Sequence, residues 1–137
     1  MTAATADVAE HLRVFLAFDY GTKRVGCAVG NRLLRTATPQ RSAVCADEAR
    51  WAWVAARIHE WCPDALVVGV PFHPDGAAHD NTRRARGFAE QLRNRYRLPV
   101  FEADERYTTT EALSQGATDL DSAAAAIFLE QFLRGLP

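Results

Sequence analysis

The sequence predicts a single α/β domain: an antiparallel strand meander joined to parallel strands, with helices flanking the sheet. Three observations predict it. Val14 to Tyr20 and Arg24 to Gly30 are apolar, strand-like runs joined by a short turn containing Gly21, the pattern of a hairpin. Asp64 to Val70 is almost wholly apolar after its first residue, as in a strand covered on both faces. Helical periodicity recurs between strand-like segments, which is the alternation of a layered α/β sheet. The chain has 137 residues, 48% of them apolar, enough for one core and too few for two.

Residues 1–13 carry no strand or helix signal and are expected to form a flexible N-terminal segment ahead of the domain at 14–137. After the hairpin, Leu33 to Thr38 reads as a third strand, closed by Pro39. A helix follows from about Asp47 to Trp61, with Trp51, Val54, Ala55, Ile58 and Trp61 on one stripe, and Pro63 ends it. The loop from Pro71 to Asp80, with Asp75 and Gly76, leads to a second helix from about Asn81 to Tyr96. Its inner stripe is Ala85, Phe88, Ala89, Leu92 and Tyr96. The next strand runs from Pro99 to Glu105. The spacing from Thr108 to Glu111 is that of a capping box opening a short helix. The last helix runs from about Asp119 to Arg134.

Composition excludes several classes. The formal net charge is −1, so nucleic-acid binding has to rest on a local patch. Cys27, Cys45 and Cys62 are odd in number and form no C-x-x-C, so neither a disulfide framework nor a cysteine zinc site is expected. Asp7 and Glu10 and the lack of an apolar segment argue against a signal peptide, and no apolar run approaches the ~20 residues of a membrane span. A cytoplasmic protein is expected.

Three acids sit where a solvated acid is not expected. Asp19 shares a strand face with Phe15 and Ala17, and Glu105 shares one with Phe101 and Ala103, by the period of two. Asp121 lies on the apolar stripe of the last helix, followed by Ala124, Ala125, Phe128, Leu129 and Phe132. Asp104 alternates to the opposite face, with Glu102, and ranks as an outer acid. Inward carboxylates must be paired, protonated or joined by a cation. Mg²⁺ or Mn²⁺, as two ions, suits such a set and suits phosphodiester hydrolysis. The plainer readings are a capping role for Asp121, three residues after Thr118, turn chemistry for Asp19, and a surface pair of Glu105 with Arg106.

Residues 81–97 hold six arginines against Glu90, a local charge of +5. Arg83, Arg86, Arg93 and Arg97 follow one flank, suited to a phosphate backbone, although nothing aromatic interleaves with them. A solvated face in which Glu90 pairs Arg86 or Arg93 is the alternative. Lys23, Arg24 and Arg106 lie beside the acids in sequence and are candidate phosphate contacts.

Taken together, the segments 18–29 (FDYGTKRVGCAV), 36–39 (TATP), 67–71 (VVGVP), 104–109 (DERYTT) and 121–129 (DSAAAAIFL) resemble the YqgF family. Its members are described as bacterial pre-16S rRNA nucleases or Holliday-junction resolvase-like enzymes. The resemblance spans nearly all the chain after Arg13 and implies an RNase H-like mixed sheet. It further implies a metal-dependent nuclease with catalytic Asp19, Glu105 and Asp121, and Asp104 among the metal-binding acids. The implied partner is nucleic acid, either an rRNA precursor in a ribosomal precursor particle or branched DNA; oligomeric state stays open. A non-catalytic nucleic-acid-binding module is the other reading. One departure is that Ser114 to Thr118 is short and uncharged where the family has a longer, basic segment. The turn at Asp19 also resembles the first phosphate-binding hairpin of actin-like and sugar-kinase ATPases, but those need two such domains.

Overall fold

A computed structural model describes residues 8–71, 80–104 and 119–137. In chain order these form β1 (Val14–Tyr20), β2 (Arg24–Asn31), β3 (Thr36–Val44), α1 (Asp47–Trp61), β4 (Ala65–Val70), α2 (Asp80–Arg95), β5 (Val100–Asp104) and α3 (Leu120–Arg134). The sheet order is β3-β2-β1-β4-β5. β1, β2 and β3 pair antiparallel, whereas β1–β4 and β4–β5 are parallel. The expected mixed sheet is therefore present. Thr108 to Glu111, Asp75 and Gly76, read above as a short helix and a turn, lie outside the described residues.

Alternation along each strand buries one apolar layer on each face of the sheet. Phe15 and Ala17 of β1 and Val67 of β4 pack with Ala125, Phe128, Leu129 and Phe132 of α3. Leu16, Phe18, Leu66 and Val68 point the other way, against Val54 of α1 and Phe88, Ala89 and Leu92 of α2. All six residues of β4 are buried, as a central parallel strand with helices on both faces requires.

Two expectations need correction. The third strand is Thr36–Val44, not Leu33 to Thr38, and Pro39 lies inside it. β3 is an edge strand, so the missing proline N–H need not leave a ladder bond unmade. Leu33 and Leu34 instead form a turn, 83% and 69% exposed, closed by N–H bonds from both to Asn31 Oδ1. The second correction concerns the N-terminus: from Val8 onward it is packed. Val8 and Leu12 are buried in the α3 core, and Arg32 donates to Ala9 O at 2.6 Å. The Asp64 carboxylate accepts N–H bonds from Arg13 and Val14 at 2.9 Å each. The Val14 bond and then the Arg13 bond hold that carboxyl below its usual range.

Small residues on β2 set how closely α3 approaches. A Cβ on Gly26 would lie 2.3 Å from the backbone carbonyl of Asp121, and one on Gly30 would lie 2.9 Å from methyls of Leu129 and Leu133. The first obstacle is backbone; the second is mainly the ends of flexible side chains, with the Thr36 carbonyl oxygen at 3.1 Å. Gly26→Ala is thus expected to cost about 3 kcal/mol and Gly30→Ala about 1 kcal/mol, within the range for overpacking. Urea-denaturation midpoints of the two variants check this; equal losses would show that α3 is not seated on Gly26.

Candidate active site where α3 meets the β1–β2 hairpin

Asp19 is the penultimate residue of β1 and pairs across the sheet with Gly26. Opposed residues of an antiparallel pair project to the same face. The face is that of Phe15 and Ala17, on which α3 packs. Because the Asp121 backbone lies against Gly26, the first turn of α3 sits over the cross-strand pair that contains Asp19. Two of the three expected acids are thereby brought together from opposite ends of the chain. Arg24 joins them: its Nε donates to Asp121 Oδ2 at 2.9 Å, with the two side chains 58% and 37% exposed. Lys23 is exposed in the same turn.

The first turn of α3 is pinned by residues that sequence reasoning missed. The N-cap is Asp119, whose Oδ1 accepts the Ser122 N–H at 3.1 Å. Its Oδ2 accepts both the N–H and the hydroxyl of Ser42, each at 3.0 Å, tying α3 to β3. Burial opposes the charge of Asp119, but the bonds from Ser42 and Ser122 and the nearby Arg24 outweigh it and lower its pKa. Ser122 is fully buried, and its hydroxyl accepts the Cys27 N–H at 3.0 Å, where the β2–β3 register shifts. A helix cap at Asp119 frees Asp121 from the capping role that the Thr118 spacing suggested. The signal was an N-cap residue type two positions before the acid.

Arg50 was also missed. It is 7% exposed, and its Nη2 donates to Gly21 O at 2.7 Å, Thr22 O at 2.8 Å and Cys45 O at 3.2 Å. The guanidinium lies 4.5 Å over the Tyr20 ring. It therefore holds the turn that follows Asp19. Its trace in the sequence is a charged residue four before Val54, on the inward side of α1. The cysteines are free, and burial pushes the Cys27 thiol up to about 12, so it packs as an apolar group.

The remaining candidates are distributed as follows. Asp104 ends β5 in register with Val70, and alternation places it with Glu102 on the α1–α2 side rather than with Asp19. Glu105 and Arg106 lie outside the described residues. Among the described residues no three His, Cys, Asp or Glu side chains gather as a metal-binding group. Arg83 pairs with Asp80 at 2.9 Å, Arg86 with Glu102 at 3.3 Å, and Arg93 with Glu90 at 3.5 Å. These pairs are partly or largely exposed and each is worth at most about 1 kcal/mol, so a phosphate can displace them. Aromatics do accompany the arginines, supplied by the neighbouring helix: Arg95 lies 4.0 Å over Trp51 of α1.

A mixed five-stranded sheet with this acid-bearing edge is the RNase H fold, and the protein class is that of its nucleases. The chain belongs to the RuvX family, described as Holliday junction resolvase, whose model matches residues 13–135. It is 64% identical over 129 residues to the "Putative pre-16S rRNA nuclease" of Albidiferax ferrireducens, covering 94% of this chain and 83% of that one. It is 59% identical to the protein of the same name from a Polaromonas species, covering 98% of each. In fold it is similar to the fowlpox virus Holliday junction resolvase, with a TM-score of 0.56 at 15% identity over 90% of this chain and 99% of that one. Thermus thermophilus RuvC in complex with a Holliday junction substrate superposes with a TM-score of 0.51 at 18% identity, covering 88% and 93%.

The cap gives a pH-dependent prediction. A carboxyl lowered in the folded state stabilises above its unfolded pKa, and that contribution is lost as pH falls through the lower folded value. Asp119→Ala should cost about 1 kcal/mol at neutral pH. Its deficit against the unsubstituted protein should shrink once the pH drops below the usual carboxylate value of 3.8. Melting temperatures across pH 2.5–7 measure this, and a deficit independent of pH would deny Asp119 its charged role.

Proposed function

We propose that this chain is a metal-dependent nuclease that hydrolyses phosphodiester bonds of structured nucleic acid. Its task on this reading is 5′-end processing of pre-16S rRNA during ribosome biogenesis in the cytoplasm. The observation that carries it is the seating of α3 on Gly26, which sets Asp121 beside the strand end that bears Asp19. The name carried by relatives at 59% and 64% identity supports the choice of substrate. Among the described residues no helix is long and apolar enough to cross a membrane.

Asp19 and Asp121 offer hard oxygen donors at a partly exposed edge, which fits Mg²⁺ or Mn²⁺. Glu105 is the third proposed ligand and Asp104 an outer acid. Such a cation, when bound, supplies positive charge at the scissile phosphate and a more acidic attacking water. The chain's own residues do the rest. Arg24 is held on Asp121 Oδ2 and exposed, so an incoming phosphate meets a guanidinium already positioned at the acids. Lys23 adds charge from the same turn. Arg50 keeps that turn in place through three carbonyls. Arg83 and Arg86 on α2 are further proposed phosphate contacts, and Arg106, next to Glu105 in sequence, is another.

The family description and the likeness to junction resolvases favour a second substrate, four-way DNA. The deciding experiment offers purified protein a 5′-extended 16S precursor and a four-way DNA junction, each with Mg²⁺ and with Mn²⁺. Metal-dependent cleavage of the precursor, lost in Asp19→Asn, is expected. Cleavage of the junction alone moves the reading to recombination, and binding without cleavage makes the chain a non-catalytic module.

Asp121→Asn should lower the cleavage rate by roughly 10²-fold or more, the scale of losing one electrostatic stabiliser of a transition state. Its stability should change by less than about 1 kcal/mol, because the pair it breaks is exposed. Asp119→Ala should show the reverse balance, and the two variants together separate chemistry from capping. Arg24→Ala should bind Mn²⁺ about two- to threefold more tightly by calorimetry, since Asp121 loses its competitor, while cleavage falls. Unchanged Mn²⁺ affinity in both Asp121→Asn and Arg24→Ala would remove Asp121 from the metal site.

A further inference from the structure

On the sheet face opposite Asp19, α1 and α2 do not close completely. They leave a groove of about 460 Å³ whose walls include Asp47, Glu48 and Trp51 from α1 and Arg84, Gly87 and Arg95 from α2. A second hollow of about 310 Å³ lies against Gly21 and Thr22, in the turn after Asp19. Tyr20 and Arg84 line both, so the two are neighbours, and the second lies on the side of the acidic edge.

Three features of this groove suit it to a ligand. Phe88, Trp51 and Arg95 form a stack: the rings are 5.3 Å apart at 28°, and the guanidinium lies 4.0 Å over the indole. Arg95 is exposed and lines the groove, and an arginine stacked on an aromatic ring is a surface on which nucleobases stack. Arg84 and Arg95 form no ion pair among the described residues, unlike Arg83, Arg86 and Arg93 on the outer flank. Gly87 sits in the middle of α2, where glycine weakens a helix relative to alanine, yet a Cβ there meets nothing within 4 Å. No packing demands the glycine, and its effect is to open the groove wall.

We propose that this groove binds a single-stranded stretch of nucleic acid flanking the scissile phosphate. Arg84 and Arg95 take its phosphates, and the Arg95–Trp51 stack carries a base. Asp47 and Glu48, at the far wall, accept hydrogen bonds from the amine edge of that base and repel further phosphates, so the groove holds a short segment. The role of a flanking segment rests on the nuclease reading; the binding itself does not.

The test uses the full chain without metal and a labelled single-stranded RNA of about six nucleotides, near the lower end of single-strand site sizes. Fluorescence anisotropy should show Arg134→Ala, an exposed arginine at the far end of α3, binding it as the unsubstituted protein does. The Arg84→Ala/Arg95→Ala variant should bind about tenfold more weakly, with a salt slope lower by about one to two. Gly87→Ala should melt at a higher temperature yet bind several-fold more weakly, a combination that a purely structural glycine does not produce. Unchanged affinity and salt slope in the double arginine variant would overturn the proposal, as would tight binding by Gly87→Ala. RNA binding that depends on the groove, in a protein that cleaves nothing, would sink the nuclease reading and leave the groove standing. Normal cleavage with no groove-dependent binding would do the opposite.

Discussion

The contact on which the rest depends is that of the α3 backbone with Gly26. At 2.3 Å from a would-be Cβ, only glycine admits the helix there. The consequence is positional: β2 carries Arg24, its partner strand carries Asp19, and the helix carries Asp121, so one close approach gathers all three. Asp119 and Ser122 then lock the helix start, each by hydrogen bonds to a strand of the meander. Neither bond adds much stability alone; together they remove the freedom of the first turn to slide along β2.

The charged residues divide by function along the same geometry. The outer flank of α2 is laced with weak, exposed ion pairs, two within the helix to Asp80 and Glu90 and one to Glu102 of β5. The inner flank presents Arg84 and Arg95 beside aromatic rings from α1. Arg50 belongs to neither set. Its charge is spent on the carbonyls of Gly21, Thr22 and Cys45, all reached by Nη2 while the guanidinium lies over Tyr20.

Period-two alternation was enough to put Asp19 on the α3 face, because strands hold their faces strictly. The apolar stripe of the last helix placed Asp121 at the sheet in the same way. What the sequence concealed was anything decided by an approach across the fold. Gly26 reads as an ordinary strand glycine until α3 lies on it, and Ser122 as one small residue in an alanine run. Arg50 acquires its role only once its carbonyl partners are in place. The third strand was misread because Leu33 and Leu34 look like strand residues, while the turn is closed by Asn31. The packed N-terminus escaped for a similar reason, since Val8 and Leu12 acquire a partner only once α3 is present.

The separation along the chain of the groups that meet at the edge has a consequence for synthesis. Arg24 and Asp121 lie 97 residues apart, and Cys27 and Ser122 lie 95 apart. A polypeptide emerging from its N-terminus pairs β1, β2 and β3 from local contacts, but such distant pairings close late. Until Leu120–Arg134 docks, the nascent meander carries Asp19 without Asp121. A chain of this nuclease family therefore lacks the pairing of its first-strand and last-helix acids throughout its own translation, and gains it in the same step that completes its core.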